Sequence, residues 1–498
     1  MAEDSDVGIA EDSATLFTRG VREIVPWPVE ILDLPDPTEP ELLATGTSER
    51  APVLLRTAQE RRRRQQEAGL ILNRVVYDAT HFVPARTELV PGGALLFESR
   101  FESGNLRRAI HVCGNEYDLL MNWDHGTRGH TQWFFFAVRG AVVGETYLFN
   151  LINFCKPQSL FRLGMLPLIY SARNAQERGV GWRRGGHDVH YFENGVGRRD
   201  KDKGSHSTLS FCWSPEREDD LVYFAMCYPY TYTDQCRHLD AIEAHPQRAR
   251  HVRREVLAQT LAGNACEMLW VSDFSAPQSE VDARRVVAIS ARVHPGESNA
   301  SLMMHGILDF LTGSSAEADA LRRELLFLVV PMLNPDGVII GNYRCSLAAV
   351  DLNRRWARPS ARLHPTIYAF KRLLVETHAR QPVAMFVDLH GHSRKQNVFM
   401  YGCAPERGDG LLEKVFPLLL SRVERTFDFA SCSYSIKKSK EGTGRVVVHR
   451  ELSLETSYTL EASFAGSSLE LPAAGPAAAA AAGKVPVGTE AEAPAAAA

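Results

Sequence analysis

The chain has 498 residues, of which 45% are hydrophobic and 23% are charged, and its formal net charge is −4 at pH 7. These values indicate a soluble globular protein with a real core and about two or three domains. The mildly acidic balance excludes a general nucleic-acid coat, but a local basic surface could still attract an acidic partner.

The nine cysteines are irregularly spaced and form no C-x-x-C pair. This pattern favours reduced thiols in a cytosolic protein over a disulfide framework. The first 30 residues are acidic and lack an apolar core, so we expect no secretory signal. No apolar stretch reaches about 18 residues, so we expect no membrane span. The predicted location is therefore the cytoplasm.

Residues 1–88 combine acidic residues, prolines and the charge run "AQERRRRQQE". Such composition predicts a largely disordered or irregular N-terminal region. The charge run is typical of a solvated helix or linker, and a binding arm for acidic partners is the alternative.

Residues 89–236 contain short alternating segments such as "YDLLMNW", "TQWFFFAVRG" and "TLSFCWSP", separated by turn residues. This pattern predicts an antiparallel β-sandwich domain. The segment "LVYFAMCYPYTYTD" contains a proline, which favours an edge strand that leads into a connector.

Residues 237–466 alternate helical and apolar segments. "HLDAIEAHPQRARHVRREVLAQTLAG", "SLMMHGILDFLTG" and "TIYAFKRLLVETHARQ" are predicted to be helical. "RRVVAISARV", "LLFLVVPMLNPDG" and "PVAMFVDLHGH" are predicted strands, and their apolar character indicates an α/β domain with a buried, largely parallel sheet. The low-complexity Ala/Pro sequence of residues 467–498 predicts a disordered tail.

Polar residues follow two of the predicted strands. A catalytic zinc needs three protein ligands, and open α/β sheets collect ligands at the carboxyl ends of their strands. His294 and Glu297 lie at such an end, although H-x-x-E is a common spacing that alone favours solvated turn residues. Strand alternation puts His390 and His392 on one face, so either could be the third ligand. Asp388 shares that face and could orient a ligand.

Further candidates come from "GNYRC", "DLNRRW" and "TLEAS". Arg344, Asn353 and Arg354 could form a carboxylate clamp and an oxyanion stabiliser, because guanidinium groups bind carboxylates in a bidentate fashion. Glu461 lies among apolar and small residues and could act as a general base beside a metal. Taken singly, these residues are more typical of surface or strand-end charges.

Five motifs in fixed order, "HPGESNAS", "NPDGV", "DLNRRW", "DLHGHS" and "SYTLEASF", resemble those of the zinc metallocarboxypeptidases. The likeness is greatest to the cytosolic carboxypeptidase branch, which removes glutamates from polyglutamylated tubulin. "FESRFESGNLRRAI", "YDLLMNWD", "QWFFFAVRG" and "YPYTYTD" resemble the sandwich domain of that branch. The resemblance therefore extends from about Leu95 to Ser463. It implies a zinc carboxypeptidase-like mixed sheet flanked by helices, preceded by the β-sandwich.

The resemblance also implies roles for single residues. One zinc ion is held by His294, Glu297 and His390, which decides between the two histidines. Arg344 polarises the scissile carbonyl, and Glu461 is the general base and later the general acid. The remaining residues bind substrate: Asn353 and Arg354 hold its terminal carboxylate, and Arg445 faces the glutamate side chain.

Two features of the sequence qualify these roles. Arg445 lies in the basic stretch "SIKKSKEGTGRVVVHRE", for which a solvated loop is the alternative. After "TLEASFAGSS" the family continues with a closing helix, whereas this sequence runs into "LELPAAGPAAAAAAGK".

The predicted function is therefore zinc-dependent hydrolysis of C-terminal or side-chain-linked glutamates. The expected partners are tubulin or other glutamylated acidic tails, which the basic segments "GWRRGG" and "GRRDKDKGSH" would steer. A non-catalytic tubulin-tail binder and a zinc amidohydrolase of small N-acyl amino acids are the alternatives. Neither nucleic acid nor a membrane is expected as a partner. Association with microtubules or cilia would accompany such substrates.

Overall fold

A computed structural model describes residues 73–80, 94–197, 204–405 and 410–468 of the chain. These residues form a β-sandwich followed by an α/β domain. The predictions for residues 1–72 and for the tail from residue 469 onward lie outside the described residues, as does the segment that replaces the closing helix.

One sheet of the sandwich has the strand order β1-β3-β4-β6-β10-β9. Its pairs are antiparallel except β4 with β6, which is parallel. The strands are β1 (Arg74–Asp78), β3 (Leu106–Cys113), β4 (Glu116–Met121), β6 (Tyr147–Phe154), β9 (His187–Gly197) and β10 (Ser205–Trp213).

The other sheet of the sandwich is antiparallel throughout, in the order β2-β5-β11-β7-β8. A 3₁₀ helix, Leu160–Leu163, and one short α-helix lie between its strands in the sequence. The elements are β2 (Leu96–Glu98), β5 (Phe135–Arg139), β7 (Leu168–Ser171), α1 (Ala172–Arg178), β8 (Arg183–Arg184) and β11 (Val222–Ala225).

Aromatic side chains join the two sheets. The ring of Phe149 in the first sheet lies 5.3 Å from Phe224 and 6.3 Å from Phe136, both in the second. All three side chains are fully buried. Interleaved aromatic rings contribute large buried apolar areas, so this layer forms the core of the sandwich.

Two expectations about the sandwich were wrong. Strand β1 pairs with β3 although it lies within residues 1–88, so the sheet begins before the predicted boundary at residue 89. Val75, Val76 and Tyr77 favour a strand, but this short run follows a segment in which charged residues dominate the composition. Strand β11 is not an edge strand, because it pairs with both β5 and β7. Pro229 follows the strand, so each strand residue keeps the amide that a central position requires.

The α/β domain is built on a seven-stranded mixed sheet, in the order β12-β13-β15-β14-β16-β18-β17. Strands β15, β14, β16 and β18 run parallel, and the outer pairs are antiparallel. The strands are β12 (Val252–Gln259), β13 (Ala265–Val271), β14 (Arg285–Ala291), β15 (Leu325–Val330), β16 (Val383–His392), β17 (Val398–Tyr401) and β18 (Ser457–Ser463).

Helices cover both faces of this sheet. Helices α7 and α9 pack on one face through Phe370 and Val447, and α2 and α4 pack on the other through Leu239 and Met304. The helices are α2 (Tyr232–Ala244), α3 (Gln278–Ala283), α4 (Ser298–Thr312), α5 (Ala316–Glu324), α6 (Pro335–Ile339), α7 (Pro365–Arg380), α8 (Leu412–Val423) and α9 (Gly444–Glu451). Short 3₁₀ helices are Ala249–His251, Leu352–Arg354, Phe429–Ser431 and Lys438–Lys440.

The helix predicted across "HLDAIEAHPQRARHVRREVLAQTLAG" was wrong in its second half. Helix α2 ends at Ala244, and Val252–Gln259 forms the edge strand β12. The charged residues of β12 give it a composition typical of a solvated helix, but its pairing with β13 makes it a strand. Arg254, for example, binds Glu267 on β13 at 2.6 Å.

All nine cysteines lie within the described ranges, and none of them forms a disulfide bond. Among the helices of those ranges, none has the length and apolar character needed to cross a membrane.

Candidate metal centre and active site

The first two predicted ligands lie on a turn between β14 and α4. Arg292 adopts a φ of 58°, in the left-handed region that residues other than glycine seldom occupy. Its buried guanidinium donates hydrogen bonds to the carbonyl of Pro295 at 2.7 Å and to Ser301 Oγ at 2.8 Å. These bonds fix the turn that presents His294 and Glu297 at the carboxyl end of the sheet.

The third predicted ligand joins them from β16. His294, Glu297 and His390 are all buried, and their ligand atoms lie within 4.8 Å of one another. Glu297 bridges the two rings, with Oε1 2.9 Å from His294 Nδ1 and Oε2 2.8 Å from His390 Nδ1. The structure therefore brings the predicted set together at one point.

Carboxylates orient both imidazoles. Asp388 Oδ2 lies 2.7 Å from His390 Nε2, and Asp351 Oδ1 lies 3.1 Å from His294 Nε2. Metal-bound histidines characteristically have their other ring nitrogen held in this way, which fixes the tautomer and raises the basicity of the ligand. Two imidazoles and one carboxylate are also ligand types that zinc prefers. The donor set thus fits a catalytic zinc ion.

The buried charges of the group stabilise one another. Burial opposes ionisation of Glu297, but His294 and His390 hold the pKa of its carboxyl well below its ordinary value. Burial likewise disfavours the imidazolium form of His390, but Asp388 and Glu297 hold its pKa well above the usual range. The site therefore pairs ionised carboxylates with protonated imidazoles. A metal cation that binds there would replace the imidazole protons.

Glu461 lies beside the ligands on β18. The parallel pairing of β16 and β18 places Glu461 directly opposite His390. Burial raises the pKa of Glu461 above its ordinary value, and His390 opposes that shift. A carboxyl group with a raised pKa near a metal site can both accept and return a proton.

His392 is not part of this group. Its Nδ1 accepts a hydrogen bond from the amide of Lys395 at 2.9 Å, and its ring packs edge-on against Phe399. Strand alternation alone could not separate His392 from His390. The structure separates them because only His390 contacts Glu297 and Asp388.

Asp351 links the ligands to the predicted arginines. Its Oδ2 lies 2.6 Å from an Nη of Arg344 and 3.8 Å from an Nη of Arg354, while its Oδ1 faces His294. Burial opposes ionisation of Asp351, but His294 and Arg344 hold its pKa well below the ordinary range. Both arginines therefore lie at the rim of the ligand group.

Asn353 connects the ligand group to α9. Its Nδ2 lies 3.2 Å from His390 Nε2, and its Oδ1 accepts a hydrogen bond from the amide of Gly444 at 2.9 Å. The next residue, Arg445, is buried and donates hydrogen bonds to the carbonyl of Gly402 and to Cys403 Sγ. The alternative of a solvated basic loop is therefore wrong for Arg445, while its role toward substrate stays a prediction.

Three charged residues of the site were missed from the sequence. Asp351 opens the quoted motif "DLNRRW", and its position two residues before Asn353 was an available signal. Asp124 and Lys156 come from the sandwich domain and contact the segment around Arg344. Asp124 ends the quoted motif "YDLLMNWD", which was an available signal, whereas no quoted motif contains Lys156.

Within the described ranges, two other groups bring together potential metal ligands. His238, His305 and Asp309 form one, but Arg248 already binds the carboxylate of Asp309 at 2.5 Å. The other group consists of His187, Asp188 and Cys212 and lies largely at the surface. Neither has the burial or the orienting carboxylates of the group around Glu297.

Comparison with known proteins extends these observations. A family profile described as zinc carboxypeptidase matches residues 236–474. Cytosolic carboxypeptidase 2 of Danio rerio is 44% identical over 381 residues, which cover 75% of this chain and 52% of that protein. Cytosolic carboxypeptidase 3 of Mus musculus is 42% identical, with 75% of this chain and 37% of that protein covered. The chain thus spans about half the length, or less, of these relatives.

Solved structures share the fold. A metallo-carboxypeptidase from Burkholderia cenocepacia aligns with a TM-score of 0.61 at 24% identity, covering 75% of this chain and 90% of that one. A metallo-carboxypeptidase from Pseudomonas aeruginosa aligns with a TM-score of 0.55 at 23% identity, covering 74% and 90%. These matches confirm the predicted fold class of a mixed sheet preceded by a β-sandwich. The profile match and the His294–Glu297–His390 group confirm zinc as the cofactor of this type of domain.

Proposed function

Since the chain belongs to the zinc carboxypeptidase family, we propose that it is a metallocarboxypeptidase that removes C-terminal or side-chain-linked glutamates from proteins. The observation that carries this proposal is the buried His294–Glu297–His390 group, with Glu461 opposite His390 in the sheet. A protein that only binds acidic tails would need neither an oriented ligand set nor an adjacent carboxyl group.

Zinc held by these three residues would polarise the scissile carbonyl and lower the pKa of a water molecule toward about 7. Glu461 would remove a proton from the attacking water and deliver it to the leaving amine as the C–N bond breaks. Arg344 would donate hydrogen bonds to the carbonyl oxygen as negative charge develops on it.

The second arginine accounts for cleavage at the chain terminus. Arg354 lies beside Asn353 at the rim of the ligand group, and about a third of its side chain is exposed. Its guanidinium can bind the terminal carboxylate of a substrate in a bidentate fashion. Substrates without a free carboxylate would lose that contact, so the reaction would be that of an exopeptidase.

Cations around the site support an acidic substrate. Lys156 donates hydrogen bonds to the hydroxyls of Tyr343 at 2.7 Å and Ser393 at 3.1 Å, both of which are neutral acceptors. Burial and the nearby Arg344 lower the pKa of Lys156 to about 7. A carboxylate bound beside Lys156 would relieve this unfavourable environment.

The proposed protein substrates are polyglutamylated tubulin or other glutamylated acidic tails. The cationic surroundings of the site would attract such tails by long-range electrostatics. The relatives are named cytosolic carboxypeptidases, which supports a cytoplasmic location for this chain. Association with microtubules or cilia is part of the same proposal.

Matched peptides test the proposal. The peptides are identical except at the C-terminus, which is Glu, Gln, Lys, or Glu with its α-carboxylate blocked as an amide. Each peptide is incubated with zinc-loaded protein, and the products are identified by mass spectrometry. We expect release of the terminal Glu, weaker release of Gln and Lys, and no cleavage of the amide. Equal cleavage of the amide would contradict the carboxylate clamp. Preferred release of Lys would contradict the glutamate specificity.

A further inference from the structure

A buried carboxylate of the sandwich domain contacts the segment that carries Arg344. Asp124, in the loop between β4 and β5, is 3% exposed. Its Oδ1 accepts a hydrogen bond from the amide of Tyr343 at 2.6 Å, and its Oδ2 accepts from the amides of Arg344 at 2.6 Å and Cys345 at 2.7 Å. One side chain thus holds three consecutive backbone amides of the other domain.

These bonds are strong for a physical reason. Hydrogen bonds to an ionised acceptor are shorter and roughly twice as strong as neutral ones. Burial raises the pKa of Asp124 to about 6, and the three amides oppose that shift, so the group is mainly ionised at pH 7. A second contact supports the same segment, because the amide of His125 donates to Asn342 Oδ1 at 3.0 Å.

The geometry links these bonds to the guanidinium of Arg344. The amides that Asp124 Oδ2 accepts from lie on either side of the Arg344 Cα atom, so the backbone of this residue is fixed at both ends. Asp351 fixes the other end of the side chain by accepting from Nε at 2.8 Å. A displaced backbone would shift the guanidinium relative to Asp351 and the ligands.

We propose that Asp124 is a positioning residue of the active site: it holds the backbone of Tyr343–Cys345 and thereby aims Arg344 at the reacting carbonyl. The sandwich domain is then a working part of the catalytic apparatus. The inference rests on the carboxypeptidase reaction proposed above.

Asp124→Asn tests the inference. An amide in place of the carboxylate removes the charge and turns an NH₂ group toward a backbone N–H. We expect kcat to fall about 10–100-fold, because small misplacements of a catalytic group have effects of this order. KM and zinc content should change less than kcat, because the clamp residues and the zinc ligands lie outside the segment that Asp124 binds.

A matched control separates positioning from stability. Asp78 is also a buried aspartate of the sandwich, and it pairs with Arg107 and Arg108 on β3, away from the site. Asp78→Asn should lower thermal stability and leave kcat unchanged. An equal loss of kcat in both variants would overturn the inference, since a general weakening of the domain would then explain it.

A double-mutant cycle with Arg344→Ala gives the sharpest readout. If Asp124 acts through Arg344, the kcat of the double variant should lie within about threefold of that of Arg344→Ala alone. If the kcat losses of the two single variants multiply in the double variant, the two residues act independently and the inference is overturned. If Asp124→Asn does not fold, Asn342→Ala loosens the same segment more mildly. A full wild-type kcat in that variant would also overturn it.

Amide hydrogen exchange distinguishes failure of the inference from failure of the proposed function. Tyr343–Cys345 should exchange slowly in the wild type and much faster in Asp124→Asn, whether or not any peptide is cleaved. An inactive wild type with this exchange pattern would refute the proposed reaction alone. Unchanged exchange in the variant would refute the role of Asp124.

Discussion

At the scale of single residues, Glu297 is the centre of the site because it contacts both histidine ligands. The carboxylates of Asp388 and Asp351 then hold the far nitrogen of each ring. The orientation of the two histidine ligands therefore depends on Asp388 and Asp351, which are not themselves predicted zinc ligands.

Asp388→Asn tests this dependence. The amide cannot supply the charge that holds His390, so we expect zinc affinity to fall about 10–100-fold. Competition with a chromophoric chelator measures the affinity directly. Asp309→Asn, in the unrelated His238–His305 group, is the control and should bind zinc like the wild type. If Asp388→Asn binds zinc as tightly as the wild type, Asp388 does not orient His390 for metal binding.

Residue types and spacing left His390 and His392 open as the third ligand, and the family resemblance of the motifs was needed to choose between them. His294, Glu297 and His390 meet as expected, and Asn353, Arg344 and Arg354 surround them. Asp124 ends the quoted motif "YDLLMNWD", but its position there does not predict a contact with Arg344. It belongs to a different domain, and its function depends on three backbone amides, which leave no trace in side-chain patterns.

At the scale of elements, the turn before α4 depends on a close approach between two loops. A Cβ atom on Gly296 would lie 2.6 Å from Tyr343 Cδ2, and the amide of Gly296 donates to the carbonyl of Tyr343 at 2.8 Å. Only glycine leaves room for this contact, so the turn with His294 and Glu297 is coupled to the segment with Arg344.

Gly296→Ala adds only one methyl group, but we expect it to displace the turn that carries His294 and Glu297. We expect weaker zinc binding and a lower melting temperature, since the added methyl group meets backbone as well as a ring. Gly306→Ala is the matched control: it lies exposed in the middle of α4, with open space at its Cβ position. That change should stabilise the protein by about 0.5–1 kcal/mol. Calorimetry and zinc titration of both variants measure these effects, and similar results for the two would contradict the close-approach argument.

Element prediction succeeded where burial produced a continuous apolar run or a clear helical period, and it failed where burial produced neither. The apolar strands β14, β15 and β16 and the amphipathic helix α4 lie where the sequence predicts them. The sequence of β12 predicts a helix because edge strands carry charges at their exposed positions. Arg254, for example, pairs with acidic residues on both α2 and β13. Such pairing across elements is invisible in a local window.

At the scale of the whole molecule, the two domains share a continuous interface. Ser103 donates hydrogen bonds from its amide to the carbonyl of Ile339 and from its hydroxyl to the carbonyl of Val338. Tyr343 and Phe464 of the α/β domain belong to the same apolar cluster as the sandwich core. The sandwich therefore packs against the segment next to Arg344 and against the end of β18, the strand that carries Glu461.

The most direct test of the central claim is glutamate release from polyglutamylated tubulin, measured by amino-acid analysis alongside the zinc content of the protein. The wild type should contain one zinc ion and release glutamate over time, a chelator should stop the release, and added zinc should restore it. Glu461→Gln should retain its zinc and release nothing, because the proton acceptor is lost while the three ligands stay in place. Wild-type protein that binds zinc but releases no glutamate would contradict the account, as would full activity in Glu461→Gln.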